Sequence, residues 1–159
     1  LQSRAPIVTT HIGPIPEDRD SITYARFLKS VIAVIKDAEK YGAIFALETG
    51  QESAQCLRQF IEDVESPKLK VNYDPANMLE KGCVESVEVL AKHIVHTHAK
   101  DKHPETAKPT VGQGAVPWDD YIAALKKIGY DGWFAIEDES GDAEVEQSIA
   151  SGRKFLEKF

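Results

Sequence analysis

The sequence lacks the features that mark membrane proteins and nucleic-acid-binding proteins. It contains no apolar run of about 18 residues, so no membrane-spanning helix is expected. It also contains no block of about five or more basic residues. Its formal net charge is -7, whereas binding to a phosphate backbone usually requires a basic surface. We therefore expect neither a membrane nor a nucleic acid as a partner.

Cysteine is scarce as well, since the chain has only Cys56 and Cys83. Two cysteines form neither a disulfide framework nor a typical zinc pattern. The first residues lack a basic segment followed by an apolar stretch, so they do not resemble a signal peptide. These observations predict a cytoplasmic protein with reduced thiols. A length of 159 residues suits one domain spanning 1–159.

Short apolar segments alternate with segments of helical periodicity along the chain. Strands are predicted at 6–11, 43–47, 69–73, 93–98 and 133–136. Helices are predicted at 21–41, 52–64, 84–91, 117–128 and 142–158, and the polar segment 99–116 is predicted to be a long loop. The strands are apolar throughout, which is typical of a parallel sheet that is buried on both faces. The fold class is therefore α/β with a parallel sheet covered by helices.

Metal-ligating residue types end four successive strands: Glu48, Asp74, His98 and Glu137. Carboxyl ends of parallel strands lie on one side of a sheet, so these side chains should converge. Three carboxylates and one imidazole suit Mn²⁺, Mg²⁺, Co²⁺ or Zn²⁺, and their charge nearly balances a dication. Each residue alone has a simpler explanation, a helix cap or salt bridge for a carboxylate and a packed core residue for the histidine. The ordered set favours a metal site.

Several segments, in order along the chain, resemble the xylose-isomerase-like TIM-barrel superfamily. They are THIG (10–13), ALETG (46–50), VNYDPANM (71–78), HIVHTHAKD (93–101), VGQG (111–114) with Trp118, and GWFAIE (132–137). This superfamily includes sugar-phosphate isomerases and epimerases, ketose 3-epimerases, inosose dehydratases and endonuclease-IV-type enzymes. The resemblance implies a (β/α) barrel and a metal-dependent isomerase or epimerase that acts on a small sugar or sugar phosphate.

The resemblance also implies roles for individual residues. Glu48, Asp74, His98 and Glu137 would hold one divalent metal ion, most commonly manganese. Glu48 and Glu137 would also be the catalytic base and acid, on opposite faces of an enediolate. The substrate-binding residues would be His11, Asn77 and Lys100. Trp118 would either cover the site or pack against the core at the start of its helix.

Other functions stay open beside the isomerase. The same chemistry in a lyase of the inosose-dehydratase type would expel a hydroxyl group, and an incomplete barrel would bind only a metal or a ligand. An endonuclease-IV-like nuclease is disfavoured by the negative charge and by Asn77, since many family members carry histidine at that position.

The length of the chain predicts only part of a barrel. A complete barrel has about 250 residues in eight βα units, or roughly 31 per unit. The 159 residues correspond to about five units, and the motifs match the fourth to eighth strands. The first three units would be absent, which leaves open sheet edges. We therefore expect homo-oligomers, or association with an N-terminal part.

Overall fold

A computed structural model describes residues 6–103, 105, 109–140 and 145–159. Five parallel strands form one sheet in the order β1-β2-β3-β4-β5, which curls into a partial barrel. The strands are β1 (Ile7–Thr10), β2 (Ile44–Glu48), β3 (Leu69–Tyr73), β4 (Ile94–Ala99) and β5 (Phe134–Ile136). The helices are α1 (Ile22–Lys40), α2 (Ala54–Val64), α3 (Glu85–Leu90), α4 (Trp118–Lys127) and α5 (Val145–Leu156). The predicted order of elements and the partial-barrel fold class are confirmed.

The helices begin and end where the local chemistry favours it. Ser21 and Ser53 cap α1 and α2, because each side-chain oxygen accepts a hydrogen bond from a backbone N–H three residues later. Gly42 follows Tyr41, the last residue of the α1 cap, with a φ of 68°, a conformation that glycine adopts without strain. A short 3₁₀ helix at Leu79–Lys81, between β3 and α3, was not predicted. None of the helices in the described ranges is long and apolar enough to cross a membrane.

The core lies between the sheet and the helices that cover it. Leu69, Val71 and Tyr73 of β3 are completely buried, and the ring of Tyr73 stacks on Tyr121 of α4 at 5.6 Å. Further fully buried side chains come from α2, α3 and α4: Leu57, Phe60, Val87, Leu90 and Leu125. Burying one such side chain contributes about 1.5–3 kcal/mol. The best-packed part of the molecule therefore surrounds the central strand.

Asp101 organises the described part of the long segment between β4 and α4. Its buried carboxylate accepts hydrogen bonds from the backbone N–H groups of Lys102, Gly112, Gly114 and Val116, and from the indole N–H of Trp118. A Cβ on Gly114 would lie only 2.1 Å from Asp101 Oδ1, so this position requires glycine. Trp118 is 5% exposed and packs on Tyr121 and Phe155, so it belongs to the core.

Candidate metal centre

The register of the sheet brings the four predicted ligands to one edge. Glu48 is the last residue of β2 and pairs with Asn72 of β3, while Asp74 directly follows β3. His98 pairs with Ala135 of β5, and the backbone N–H of Glu137 donates to the carbonyl of Ala99. The side chains therefore meet at the carboxyl ends of β2 to β5.

One ligand atom from each of these four residues lies within 4.8 Å of the other three. His98 Nδ1 is 2.8 Å from Glu137 Oε2, and 3.6 Å from both Glu48 Oε1 and Asp74 Oδ2. The sequence predicted this convergence from strand ends alone. The structure confirms the proximity of the four side chains.

The arrangement fits a divalent cation. Ligand atoms bound at about 2.1 Å from one ion lie at most about 4.2 Å apart, so small side-chain rotations suffice. Asp74 Oδ2 and Glu137 Oε2 are buried and have no partner with hydrogen-bond geometry among the described residues, although His98 Nδ1 lies 3.6 and 2.8 Å from them. Buried anionic oxygens require compensation by a cation. Oxygen and imidazole ligands together suit manganese, magnesium, cobalt or zinc.

Asp74 is held firmly at the centre of this group. Its Oδ1 accepts hydrogen bonds from the backbone N–H groups of Ala76 and Asn77, at 2.8 and 3.1 Å. Its own N–H donates to Thr49 Oγ1. The side chain is 0% exposed, and Oδ2 is left facing the other ligands. Asp74 is therefore fixed before any ion binds.

Asn72 connects two histidines on the inner side of β4. Its Nδ2 lies 3.1 Å from His98 Nε2, and its Oδ1 lies 2.8 Å from His96 Nδ1. His96 lies two residues before His98 in the strand, and it contacts Asn72 and the edge of the His98 ring. The other ring nitrogen of His98, Nδ1, faces the carboxylates and lies 2.8 Å from Glu137 Oε2.

The charges in the cluster shift the pKa values of its members. Burial alone would lower the pKa of His98, but Asp74, Glu48 and Glu137 outweigh it and raise the pKa to about 9. Burial opposes the ionisation of Glu48, yet His98 and Lys100 lower its pKa. Without a metal ion, the imidazolium of His98 therefore supplies positive charge among the carboxylates at neutral pH.

Lys100 adds a second positive charge at the rim of the cluster. Its Nζ lies 3.3 Å from Glu137 Oε1, 3.1 Å from Glu139 Oε2 and 3.8 Å from Asp74 Oδ2. Burial lowers the pKa of Lys100, but these carboxylates raise it overall. Glu139 was not among the predicted site residues, although it stands only two residues after Glu137 in the chain.

The other two predicted substrate-binding residues lie at the same mouth. Asn77 Nδ2 donates to Glu48 Oε1 and to the Thr49 carbonyl, at 3.1 and 3.0 Å. His11 Nδ1 accepts from the backbone N–H of Gly13, and a Cβ on Gly50 would lie 2.7 Å from His11 Nε2. The structure thus places His11, Asn77 and Lys100 around the cluster.

Comparison with known proteins identifies the family. Residues 3–159 match the model of the xylose isomerase-like TIM barrel, and the chain belongs to that family. A sequence relative is an inosose dehydratase of Geobacillus thermodenitrificans, which is 28% identical. The match covers 60% of this chain and 39% of the dehydratase. An uncharacterised protein of Methanocaldococcus jannaschii is 23% identical, and the match covers 84% of this chain and 51% of that protein.

Solved structures share the fold. A xylose isomerase domain protein from Planctomyces limnophilus is 32% identical, has a TM-score of 0.85, and matches 96% of this chain and 57% of its own. The D-psicose 3-epimerase of Clostridium cellulolyticum, solved with D-tagatose, is 22% identical with a TM-score of 0.70, and the match covers 89% of this chain and 61% of the epimerase. The chain thus spans roughly half the length of the relatives that it matches.

Proposed function

We propose that this chain carries the metal-binding portion of an isomerase or epimerase that acts on a small sugar or sugar phosphate. The observation that carries the proposal is the convergence of Glu48, Asp74, His98 and Glu137 within 4.8 Å. These residues would hold one divalent ion, with manganese as the first candidate. Such an ion would polarise a carbonyl and a neighbouring hydroxyl oxygen of the substrate, which acidifies the adjacent C–H bond.

The two glutamates would transfer the proton. They project from β2 and β5, and the two intervening strands carry Asp74 and His98, so the carboxylates approach a bound substrate from opposite sides. Glu48 would remove the proton as the general base, since its carboxylate is ionised at neutral pH. Glu137 would return the proton to the other face, and Lys100, 3.3 Å from it, would donate a hydrogen bond to a substrate oxygen.

Relatives support this reaction class and also favour one alternative. Structures of the same fold include D-psicose 3-epimerase and L-ribulose 3-epimerase. The sequence relative at 28% identity is an inosose dehydratase, so a lyase is the second candidate. Both reactions begin with removal of a proton next to a carbonyl group, and they differ in whether a proton returns or a hydroxyl leaves.

The test is the exchange of solvent deuterium into a panel of ketoses, catalysed by the chain loaded with Mn²⁺. NMR of the ketoses follows the exchange after Mn²⁺ has been replaced by diamagnetic Mg²⁺. We expect exchange at the carbon next to the carbonyl, and its loss in Glu137→Gln with the fold retained. Glu88→Gln, which changes an exposed glutamate paired with Lys127, is the matched control and should exchange normally. Formation of a dehydrated product would identify the lyase. Absence of exchange in a metal-loaded chain would contradict both enzyme assignments.

A further inference from the structure

A polar cavity of about 320 Å³ lies beside the metal cluster and has no role in the proton transfer described above. Its lining comes from the segments that follow β1, β2, β3 and β4, and it includes His11, Gln51, Asn77, Glu80, Lys81 and Lys102. Asn77 also donates to Glu48 of the cluster, at 3.1 Å. Cavity and cluster are therefore adjacent, and one small molecule can occupy both.

The cavity presents more hydrogen-bond donors than acceptors. His11 Nδ1 accepts from the backbone N–H of Gly13, so the proton of the neutral ring lies on Nε2, the atom that faces Gly50 in the lining. The ammonium groups of Lys81 and Lys102 supply further donors. Glu80 is the one carboxylate among the lining residues.

The charge of the cavity is positive, although the protein as a whole carries -7. Lys102 Nζ pairs with Glu80 at 3.2 Å, and their charges cancel. Lys81 is exposed and forms no ion pair with any of the described residues, so its charge is not neutralised. A positive cavity directly beside three carboxylates separates the site into an anion-binding part and a cation-binding part.

We propose that this cavity binds the phosphate group of a phosphorylated substrate whose carbonyl end lies at the metal cluster. The inference rests on the proposed function and narrows it to sugar phosphates, in preference to free sugars. A phosphate offers three anionic oxygens, and lysine binds it as a point charge. The cavity volume is near the lower limit of small-molecule sites, about 300–1,000 Å³, as expected for one part of a divided site.

The experiment measures the binding of inorganic phosphate to the metal-free chain by calorimetry at constant ionic strength. We expect Lys81→Gln and Lys102→Gln each to weaken phosphate binding about three- to fivefold. Glu80→Gln should strengthen it, since this change removes the competing carboxylate. Lys127→Gln, at an exposed lysine outside the cavity, is the matched control and should bind as the unchanged chain does. Phosphate binding that is absent, or equal in all variants, would overturn the inference.

A second measurement separates this inference from the proposed function. In the deuterium-exchange assay, a ketose phosphate should have a higher kcat/KM than the free ketose of the same carbon skeleton. Lys81→Gln should raise KM for the phosphate and leave kcat unchanged. An equal kcat/KM for the ketose phosphate and the free ketose would contradict the cavity assignment and leave the isomerase assignment intact. Phosphate binding without exchange on any ketose would contradict only the isomerase.

Discussion

The centre and the edges of the sheet are built differently. In β3, every residue except Lys70 is buried, and Tyr73 is 0% exposed. The residues of β5 are only half-buried, and Trp133 just before them is 83% exposed. In the sheet of the described residues, β1 and β5 are each paired on one side only. A strand with packed neighbours on both sides holds its side chains more rigidly than an edge strand does.

Because of this difference, the ligands of the candidate metal centre are not held equally firmly. Asp74 leaves the central strand and is fixed by three hydrogen bonds involving its carboxylate and its N–H. Glu137 leaves the edge strand, its side chain is 34% exposed, and its carboxylate pairs with the charged groups of His98 and Lys100. The centre thus combines a rigid side and an adjustable side. An adjustable glutamate suits a group that must both hold an ion and move a proton.

The largest effect should follow from removing packing at the centre. Leu69→Ala truncates a side chain that is 0% exposed, and we expect a loss of about 2–5 kcal/mol in the free energy of unfolding. Val8→Ala on β1, where the valine is 46% exposed, should cost less than about 0.5 kcal/mol. Urea unfolding followed by circular dichroism measures both. Equal losses would show that the sheet is packed uniformly.

The next largest effect concerns metal affinity. Asp74→Asn removes the charge of a pre-ordered ligand, and we expect Mn²⁺ to bind about 100-fold more weakly. Mutation of residues that only hydrogen-bond to metal ligands lowers metal affinity by about 10- to 100-fold, so the loss of a ligand should reach the upper end of that range. Glu137→Gln should cost only about tenfold, because the ordering of a mobile side chain offsets part of its contribution. Calorimetric titration with Mn²⁺ provides the two values. A larger loss for Glu137→Gln would reverse the division into rigid and adjustable sides.

The four strand ends were predictable because a buried parallel sheet has a simple rule. The predicted strands correspond to β2 to β5, and metal-ligating residue types close to or just after the carboxyl ends of parallel strands lie at a common edge. Glu48, Asp74, His98 and Glu137 follow this rule, so their proximity could be predicted without coordinates. The cytoplasmic location and the association of chains stay predictions.

The supporting residues could not be predicted in this way, because their contacts depend on details of the backbone. Asn72 reaches both histidines across a register shift between Val71 and Asn72, and periodicity does not reveal such a shift. Asp101 was part of a recognised motif, yet four of its five hydrogen-bond partners lie 11 to 17 residues further along an irregular segment. Polar contacts of this kind depend on how a loop folds back, which apolar patterning does not specify.

A smaller effect on metal affinity should follow from Asn72→Leu, which keeps the branching of the side chain and removes the polar contacts to His96 and His98. We expect Mn²⁺ to bind about tenfold more weakly, because His98 is no longer oriented. Thr97→Val is the control. Thr97 lies on β4, as His98 does, and its hydroxyl donates to the Trp133 carbonyl and not to any of the four candidate ligands. If both variants lose stability and neither loses metal affinity, Asn72 serves only the fold.

The smallest predicted effect tests how α1 is joined to α2. Asp63 of α2 accepts hydrogen bonds from Tyr24 of α1, from Gln59 and from Arg19. Burial opposes the charge of Asp63, but these donors prevail and lower its pKa. A lowered pKa in the folded state adds stability above the unfolded pKa of about 3.9, and this stability is lost as the pH falls through the folded value.

Asp63→Asn should therefore reduce the free energy of unfolding by about 1 kcal/mol at pH 7, and the reduction should disappear in acid. Urea titrations between pH 7 and pH 3, with Glu62→Gln on the same helix as control, measure this dependence. Tyr24→Phe keeps the ring that packs on Phe60 and removes only the hydroxyl, so it should show a weaker form of the same pH dependence. A difference between Asp63→Asn and the unchanged chain that is constant with pH would mean that shape, and not charge, joins α1 to α2.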